Sequence, residues 1–306
     1  MAFVRKLQHK YFTCMRLTIL QLFLICLFGC FSARAATVDT INVQSIVMSR
    51  TLKAAVVLPD RYSKTKTAYP VLYLLHGGQG SFRDWLTKTP DKTLLHRMAD
   101  QYNIIIVTPE GGMTSYYFDS PLQKESQFET FIAKEVVRKI ESAYRVIKEK
   151  RGRIIAGLSM GGHGAMYIAA RHPELFVAAG SMSGVMNIDT KTWKVPEAFA
   201  RSRAENFARL LGPPKDTLNP YTDYTIVGMT DKLKANDVKL IFDVGVDDFL
   251  IEPNRDLHRR LLINGTPHDY IERPGGHTWD YWQAALPYQM LFFARVLEAS
   301  NAKAKK

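Results

Sequence analysis

Short, almost unbroken apolar runs alternate along this chain with longer stretches in which apolar positions recur every three or four residues. Pro70–Leu75 (PVLYLL), Asn103–Thr108, Arg153–Ala156, Phe176–Ser181 and Val238–Val244 are of the first kind. A strand inside a parallel sheet is covered on both faces and needs no polar alternation, so these runs predict central strands. Ile41–Leu58 alternates instead, which predicts paired edge strands over Asn42–Ser49 and Thr51–Leu58 joined near Arg50, and His268–Arg273 reads as a last strand. Helices are predicted over Leu94–Gln101, Phe128–Ala143, Gly162–Ala170 and Trp279–Leu297, with Phe128, Ile132, Val136 and Ile140 sharing one face of the second. Strand and helix alternating at this pace predict a three-layer α/β sandwich with a mostly parallel central sheet. The stretch 186–231 breaks the rhythm. It is rich in Pro, Thr, Asn and Lys, and holds a helix-like Pro196–Leu211 followed by Gly212-Pro213-Pro214. It reads as an insertion over the mouth of the sheet, not as a separate domain.

The first 35 residues follow another pattern. Basic residues precede an apolar run, Leu17–Phe31, which ends at Ser32-Ala33-Arg34-Ala35. Small residues at 33 and 35 suit cleavage before Ala36, so 1–35 is expected to be a signal peptide and 36–306 a single exported domain, periplasmic or extracellular. The run is too short for a comfortable membrane span, and no stable span is expected after cleavage. Met15-Arg16 would itself begin a compact leader. Leu27-Phe28-Gly29-Cys30 resembles a lipoprotein box, but the bulk of Phe28 disfavours lipidation at Cys30. All three cysteines (Cys14, Cys26, Cys30) lie here, so the mature chain is left without disulfides, cysteine nucleophiles or thiolate metal sites. With 46% hydrophobic residues, about 270 residues can still build a sufficient core. Removing the leader lowers the formal charge from +12 to +7. The remaining basic residues are interspersed with acids, which describes a solvated surface and excludes a nucleic-acid partner.

Candidate chemistry begins at Gly157-Leu158-Ser159-Met160-Gly161, placed between a predicted strand and a predicted helix. A serine on so sharp a bend needs tiny neighbours, and the bend exposes its hydroxyl. A serine nucleophile needs a base, and in α/β-hydrolases the acid and then the histidine follow it along the chain. Here Asp247 and Asp248 follow the strand ending at Val244, and His277 follows Pro274-Gly275-Gly276. Both groups lie just past a strand, where loops at the carboxyl edge of a parallel sheet gather. Spacing alone leaves Asp247 and Asp248 equal as the acid. The other histidines fall in the leader, in helices or at element ends, and His76 and His163 read as packing or turn residues. For a tetrahedral oxyanion one amide is expected from Met160, at a helix N-terminus, and the other from Gly78 or Gly77 in His76-Gly77-Gly78. No metal-ligating pair, Walker-type lysine or dinucleotide fingerprint appears, so no cofactor is expected.

Four segments in this order, Leu74–Gly78, Gly157–Gly162, Asp243–Leu250 and Gly275–Trp282, resemble an esterase branch of the α/β-hydrolases. That branch includes S-formylglutathione hydrolases, feruloyl and acetylxylan esterases of carbohydrate esterase family 1, and the antigen 85 mycolyltransferases. The resemblance extends over about 43–297. It implies a catalytic acid immediately before Phe249-Leu250, which is Asp248, and an oxyanion amide just after His76-Gly77, which is Gly78. It further implies a serine carboxylic-ester hydrolase. With an export leader, the expectation is removal of feruloyl or acetyl groups from a xylan-type polysaccharide. Alternatives are an S-formylglutathione hydrolase-like or broad-specificity esterase, and a non-catalytic carbohydrate-binding protein on the same fold. Trp85, Tyr116, Tyr117 and Trp193 are the aromatic candidates for contact with a sugar or phenolic ring, each with a packing role as its alternative.

Overall fold

The structure is a computed structural model and describes residues 37–304 apart from 217 and 219. The expected leader, its cleavage site and Cys30 lie outside the described residues. Eight strands form one sheet: β1 (Thr37–Ser45), β2 (Arg50–Leu58), β3 (Val71–Leu75), β4 (Ile105–Pro109), β5 (Arg153–Leu158), β6 (Ala178–Met182), β7 (Lys239–Gly245) and β8 (His268–Arg273). Their spatial order is β1-β2-β4-β3-β5-β6-β7-β8. The β1–β2 and β2–β4 pairs are antiparallel, and every other pair is parallel.

Helices cover both faces, giving the three layers that the apolar pattern predicts. The longer ones are α1 (Leu94–Tyr102), α2 (128–143), α3 (Met160–Arg171), α4 (Glu197–Leu211), α5 (Ile251–Asn264) and α6 (Trp279–Ala304). The strand alternation sorts the core into two halves. Val71, Tyr73, Leu75, Ile155 and Phe242 pack with α2 and α3 on one face, whereas Leu72, Leu74, Ile154, Ala156 and Ile241 pack with α1 and α6 on the other. Among the described residues, no helix is long and apolar enough to cross a membrane.

The differences from the sequence-based elements have local causes. β1 stops at Ser45 rather than Ser49, because 46–49 is a turn whose Ile46 and Val47 amides donate to Glu135 Oε1 at 2.7 and 3.2 Å. β4 starts at Ile105, not Asn103, since Asn103 ends α1 in the left-handed conformation (φ 50°) and an asparagine tolerates it. The face of Phe128, Ile132, Val136 and Ile140 is buried as expected, but 131–136 is π-helical. The segment 186–231 joins β6 to β7 and contains α4. It is fastened by Asn206 Nδ2 donating to the Thr114 carbonyl (2.9 Å) and Lys194 N donating to the Phe249 carbonyl (3.0 Å).

One polar cluster lies within the apolar layer under α6. Asp243 of β7 is fully buried. Gln289 of α6 donates from Nε2 to Asp243 Oδ2 (2.7 Å) and to the Ser181 carbonyl (2.8 Å). Arg273 Nη2 lies 3.1 Å from Asp243 Oδ1, and its guanidinium sits over the rings of Tyr288 (4.5 Å) and Tyr281 (5.3 Å). Burial pushes the Asp243 carboxyl up to about 6, against the pull of the Arg273 charge. Its pKa is thus raised above the unfolded value, so its titration favours the fold most at acid pH, and that contribution is lost as the pH rises through about 6. Gln289→Leu removes a donor that the carboxylate needs only when ionised. We expect a loss of roughly 1–3 kcal/mol in urea unfolding at about pH 8 and a smaller loss at about pH 5. Equal losses at both would show that the amide serves the Ser181 carbonyl alone.

Candidate active site

β5 delivers the chain to a bend that only small residues permit. Ser159 takes φ 53° and ψ −118°, a strained backbone for a residue with a side chain, and α3 begins at Met160. A Cβ on Gly157 would overlap the Gly161 carbonyl, and one on Gly161 would come within 2.6 Å of the Leu75 and His76 carbonyls. The bend is held by Ser159 N donating to the Met182 carbonyl of β6 (2.9 Å) and by His163 N donating to the Ser159 carbonyl (3.0 Å). The serine hydroxyl is thereby lifted off the sheet edge.

Three side chains meet there. His277 Nε2 is 2.8 Å from Ser159 Oγ, and His277 Nδ1 is 2.9 and 3.0 Å from the two Asp248 carboxylate oxygens. Asp248 is 1% exposed, and its Oδ1 also accepts from Leu250 N at 2.9 Å. Such an acid fixes the imidazole with Nδ1 protonated and Nε2 free to accept from the serine. Asp247 is exposed, and its amide donates to the Gly275 carbonyl (3.0 Å), so it ties the two loops together while its side chain faces out. A Cβ on Gly245 would overlap that same Gly275 carbonyl. The acid and base loops are therefore in direct backbone contact.

The amides of Met160 and Gly78 donate to no protein acceptor among the described residues. Gly77 is buried and Gly78 is exposed, and neither amide has a protein acceptor among the described residues. His76 is buried and acts as a brace. Its Nε2 accepts from Gly111 N (2.9 Å), leaving Nδ1 to donate to the Gly77 carbonyl (2.8 Å). His163 is likewise buried, between the carbonyls of Tyr116 (3.1 Å) and Tyr224 (2.9 Å), and burial pushes its pKa down to about 4. It is a neutral packing residue of α3 that donates to one of these two carbonyls, in keeping with its place at the start of the helix.

The four aromatic candidates sit in the packed interior. Trp85, Tyr116, Tyr117 and Trp193 are between 0% and 7% exposed. Trp85 Nε1 donates to the Leu75 carbonyl, Trp193 Nε1 to the Asn187 carbonyl, and the Tyr117 hydroxyl to the His76 carbonyl. Tyr116 lies 4.5 Å from the Phe207 ring. Of the two roles expected for these rings, contact with substrate or packing, their burial matches packing. The aromatic surface beside His277 comes from Phe249 and Phe199, which were not among the four named ring candidates. Phe249 lies 4.4 Å from the His277 ring and is half-buried, and Phe199 of α4 meets Phe249 edge-on at 6.1 Å and is exposed. Phe249 directly follows the acid in the same turn, which is the signal that could have marked it. Nothing local distinguishes Phe199.

Comparison with known proteins finds esterases. The family model described as "Putative esterase" matches residues 45–293. An acetyl esterase of Caldicellulosiruptor saccharolyticus is 31% identical over 216 residues, 69% of this chain and 78% of that protein. A solved ferulic acid esterase superposes with a TM-score of 0.67 at 32% identity, covering 86% of this chain and 99% of that one. An esterase of Mycobacterium tuberculosis is 31% identical over 243 residues, 73% of this chain, but the match spans only about half (52%) of its length.

The contact between Gly245 and Gly275 makes a test of the loop coupling. Gly245→Ala should still fold, as judged by a cooperative thermal transition, yet lose on the order of 100-fold in kcat on an aryl acetate, since a shift of about 1 Å between acid and base costs that much. Wild-type turnover would mean that the loops are positioned independently.

Proposed function

The chain belongs to the Putative esterase family of the α/β-hydrolases, and on that premise we propose that it is a serine carboxylic-ester hydrolase with Ser159, His277 and Asp248 as its triad. The observation that carries the reading is the continuous hydrogen-bonded line from the Asp248 carboxylate through His277 to Ser159 Oγ. In the first step Ser159 Oγ bonds to the ester carbonyl carbon while its proton passes to His277 Nε2. The carbonyl oxygen becomes an oxyanion held by the amides of Met160 and Gly78, and Asp248 balances the imidazolium. Collapse breaks the bond to the alcohol, which leaves with the proton from His277. Water, deprotonated by the same nitrogen, then attacks the acyl-serine, and the carboxylic acid and free serine result.

For the substrate, we propose a feruloyl or acetyl ester on a xylan-type polysaccharide met outside the cytoplasm. The names of two relatives, an acetyl esterase and a ferulic acid esterase, support the acyl groups. The leader-like first 35 residues support the location.

Ser159→Ala should lower kcat on an aryl acetate by about 10⁴-fold or more and abolish labelling by a fluorophosphonate, with folding unchanged. Wild-type turnover by this variant would refute the assignment. Acid released from acetylated xylan and feruloylated arabinoxylan, measured side by side by mass spectrometry, should exceed the Ser159→Ala background for at least one polymer. Activity confined to small aryl esters would reduce the reading to a general esterase. Export predicts a secreted or periplasmic chain whose intact mass begins at Ala36; a full-length cytoplasmic chain would contradict it.

A further inference from the structure

A row of rings leads away from the proposed base and ends in a cation. His277 is held between two aromatic residues. The buried Trp282 meets it edge-on at 4.9 Å from within, and Phe249 lies 4.4 Å away on the more open side. Phe199 meets Phe249 edge-on at 6.1 Å and is 38% exposed. The guanidinium of Arg203, one helical turn along α4, lies over the Phe199 ring at 4.9 Å. Spacing of four residues on a helix puts both side chains on one face, so this cation–ring contact holds the guanidinium at the end of the row.

Three other basic residues of this segment have polar side-chain partners, whereas Arg203 rests on the Phe199 ring. Lys194 pairs with Glu252 at 3.1 Å, Arg201 with Glu197 at 2.7 Å, and Arg209 with Asn206 and Gln123 through hydrogen bonds. Arg203 makes no hydrogen bond or ion pair among the described residues, and it is partly shielded from solvent. A half-covered guanidinium with five donors and no acceptor suits a carboxylate.

The side of the ester that meets this row follows from the chemistry. The acyl carbon must lie between Ser159 Oγ and the oxyanion amides, whereas His277 hands its proton to the departing alcohol. Groups extending from the open side of His277 therefore flank the alcohol. We propose that Phe249, Phe199 and Arg203 form a leaving-group subsite that selects esters whose alcohol carries a carboxylate, the class represented by acylated, uronate-bearing polysaccharide. Phe249 and Phe199 offer apolar faces to the ring of the alcohol, and Arg203 reads the negative charge beyond it. This rests on the triad reading above and deepens it from an acyl preference to a preference in the alcohol.

The test uses 4-acetoxybenzoate and 4-acetoxybenzamide, which share the acetyl group and differ in charge at the far end of the alcohol, with each rate divided by its hydroxide-catalysed rate. Wild type should prefer the charged ester at least fivefold in kcat/KM, mainly through KM, and the preference should shrink between about 20 mM and about 500 mM salt. Arg203→Gln should bring the ratio near one while leaving the benzamide rate within twofold, and Arg203→Lys should restore part of it. Hydrolysis of both esters with the same ratio in wild type and Arg203→Gln would overturn the subsite and leave the esterase reading standing. Hydrolysis of neither, with no fluorophosphonate labelling, would overturn the esterase reading and the subsite with it.

Discussion

Backbone meets backbone at two places on the carboxyl edge of the sheet, and the site depends on both. At the first, the bend at Ser159 is tight enough that the Gly157 and Gly161 backbones touch each other and the Leu75–His76 segment. At the second, the loops after β7 and β8 touch at Gly245 and Gly275 and are cross-linked by Asp247 N and Val246 N donating to the Gly275 and Arg273 carbonyls. The first contact fixes where the hydroxyl projects, and the second fixes the acid relative to the base. A parallel sheet brings these strand ends side by side, but only the absence of side chains lets the loops close to hydrogen-bonding distance.

Polar groups beneath the loops keep that arrangement rigid. Asp243 and Arg273 stand five and four residues before Asp248 and His277, so the buried cluster with Gln289 ties the roots of both loops to α6. On the other side of the serine, His76 uses both ring nitrogens on backbone groups, and the His163 ring lies between two backbone carbonyls. Burial holds His163 neutral, its pKa pushed down to about 4, so this tie stays uncharged through the range in which an ordinary histidine titrates. A neutral imidazole between two carbonyls donates to only one of them, and the second carbonyl receives no hydrogen from this ring.

Much of this was legible in the chain. Continuous apolar runs mark strands covered on both faces, and β3 and β5 are buried throughout their length. The order of nucleophile, acid and histidine is a consequence of strand order, so it reads directly from sequence. The choice between Asp247 and Asp248 is different in kind. Adjacent residues in a turn point to opposite sides, and which one faces in depends on the pairing of Asp247 N with Gly275, a contact between segments 28 residues apart. The same limit explains the aromatic residues. Trp85, Tyr116, Tyr117 and Trp193 have no local mark that separates a ring under a loop from a ring on its surface, because large aromatics serve both roles and only the tertiary arrangement decides. The π-helical stretch in α2 is equally silent, since its apolar face keeps a helical spacing.

The reaction and the choice of substrate rest on different parts of the molecule. Ser159, Asp248 and His277 all follow strands of the parallel sheet and are held by close backbone contacts, where a one-atom addition collides with main chain. The outer wall belongs to the segment between β6 and β7, and reaches the site through a few polar fasteners and through ring edges at Phe199 and Phe249. Side chains on α4 can change without touching the hydrogen-bonded line through His277, because Phe249 stands between the Phe199 ring of that helix and the imidazole. A helix with exposed positions at its outer end and buried ones at Phe207 and Leu210 is anchored at one end and adjustable at the other. The proposed subsite thus makes selectivity a property of the α4 surface, while the proposed chemistry belongs to the sheet edge.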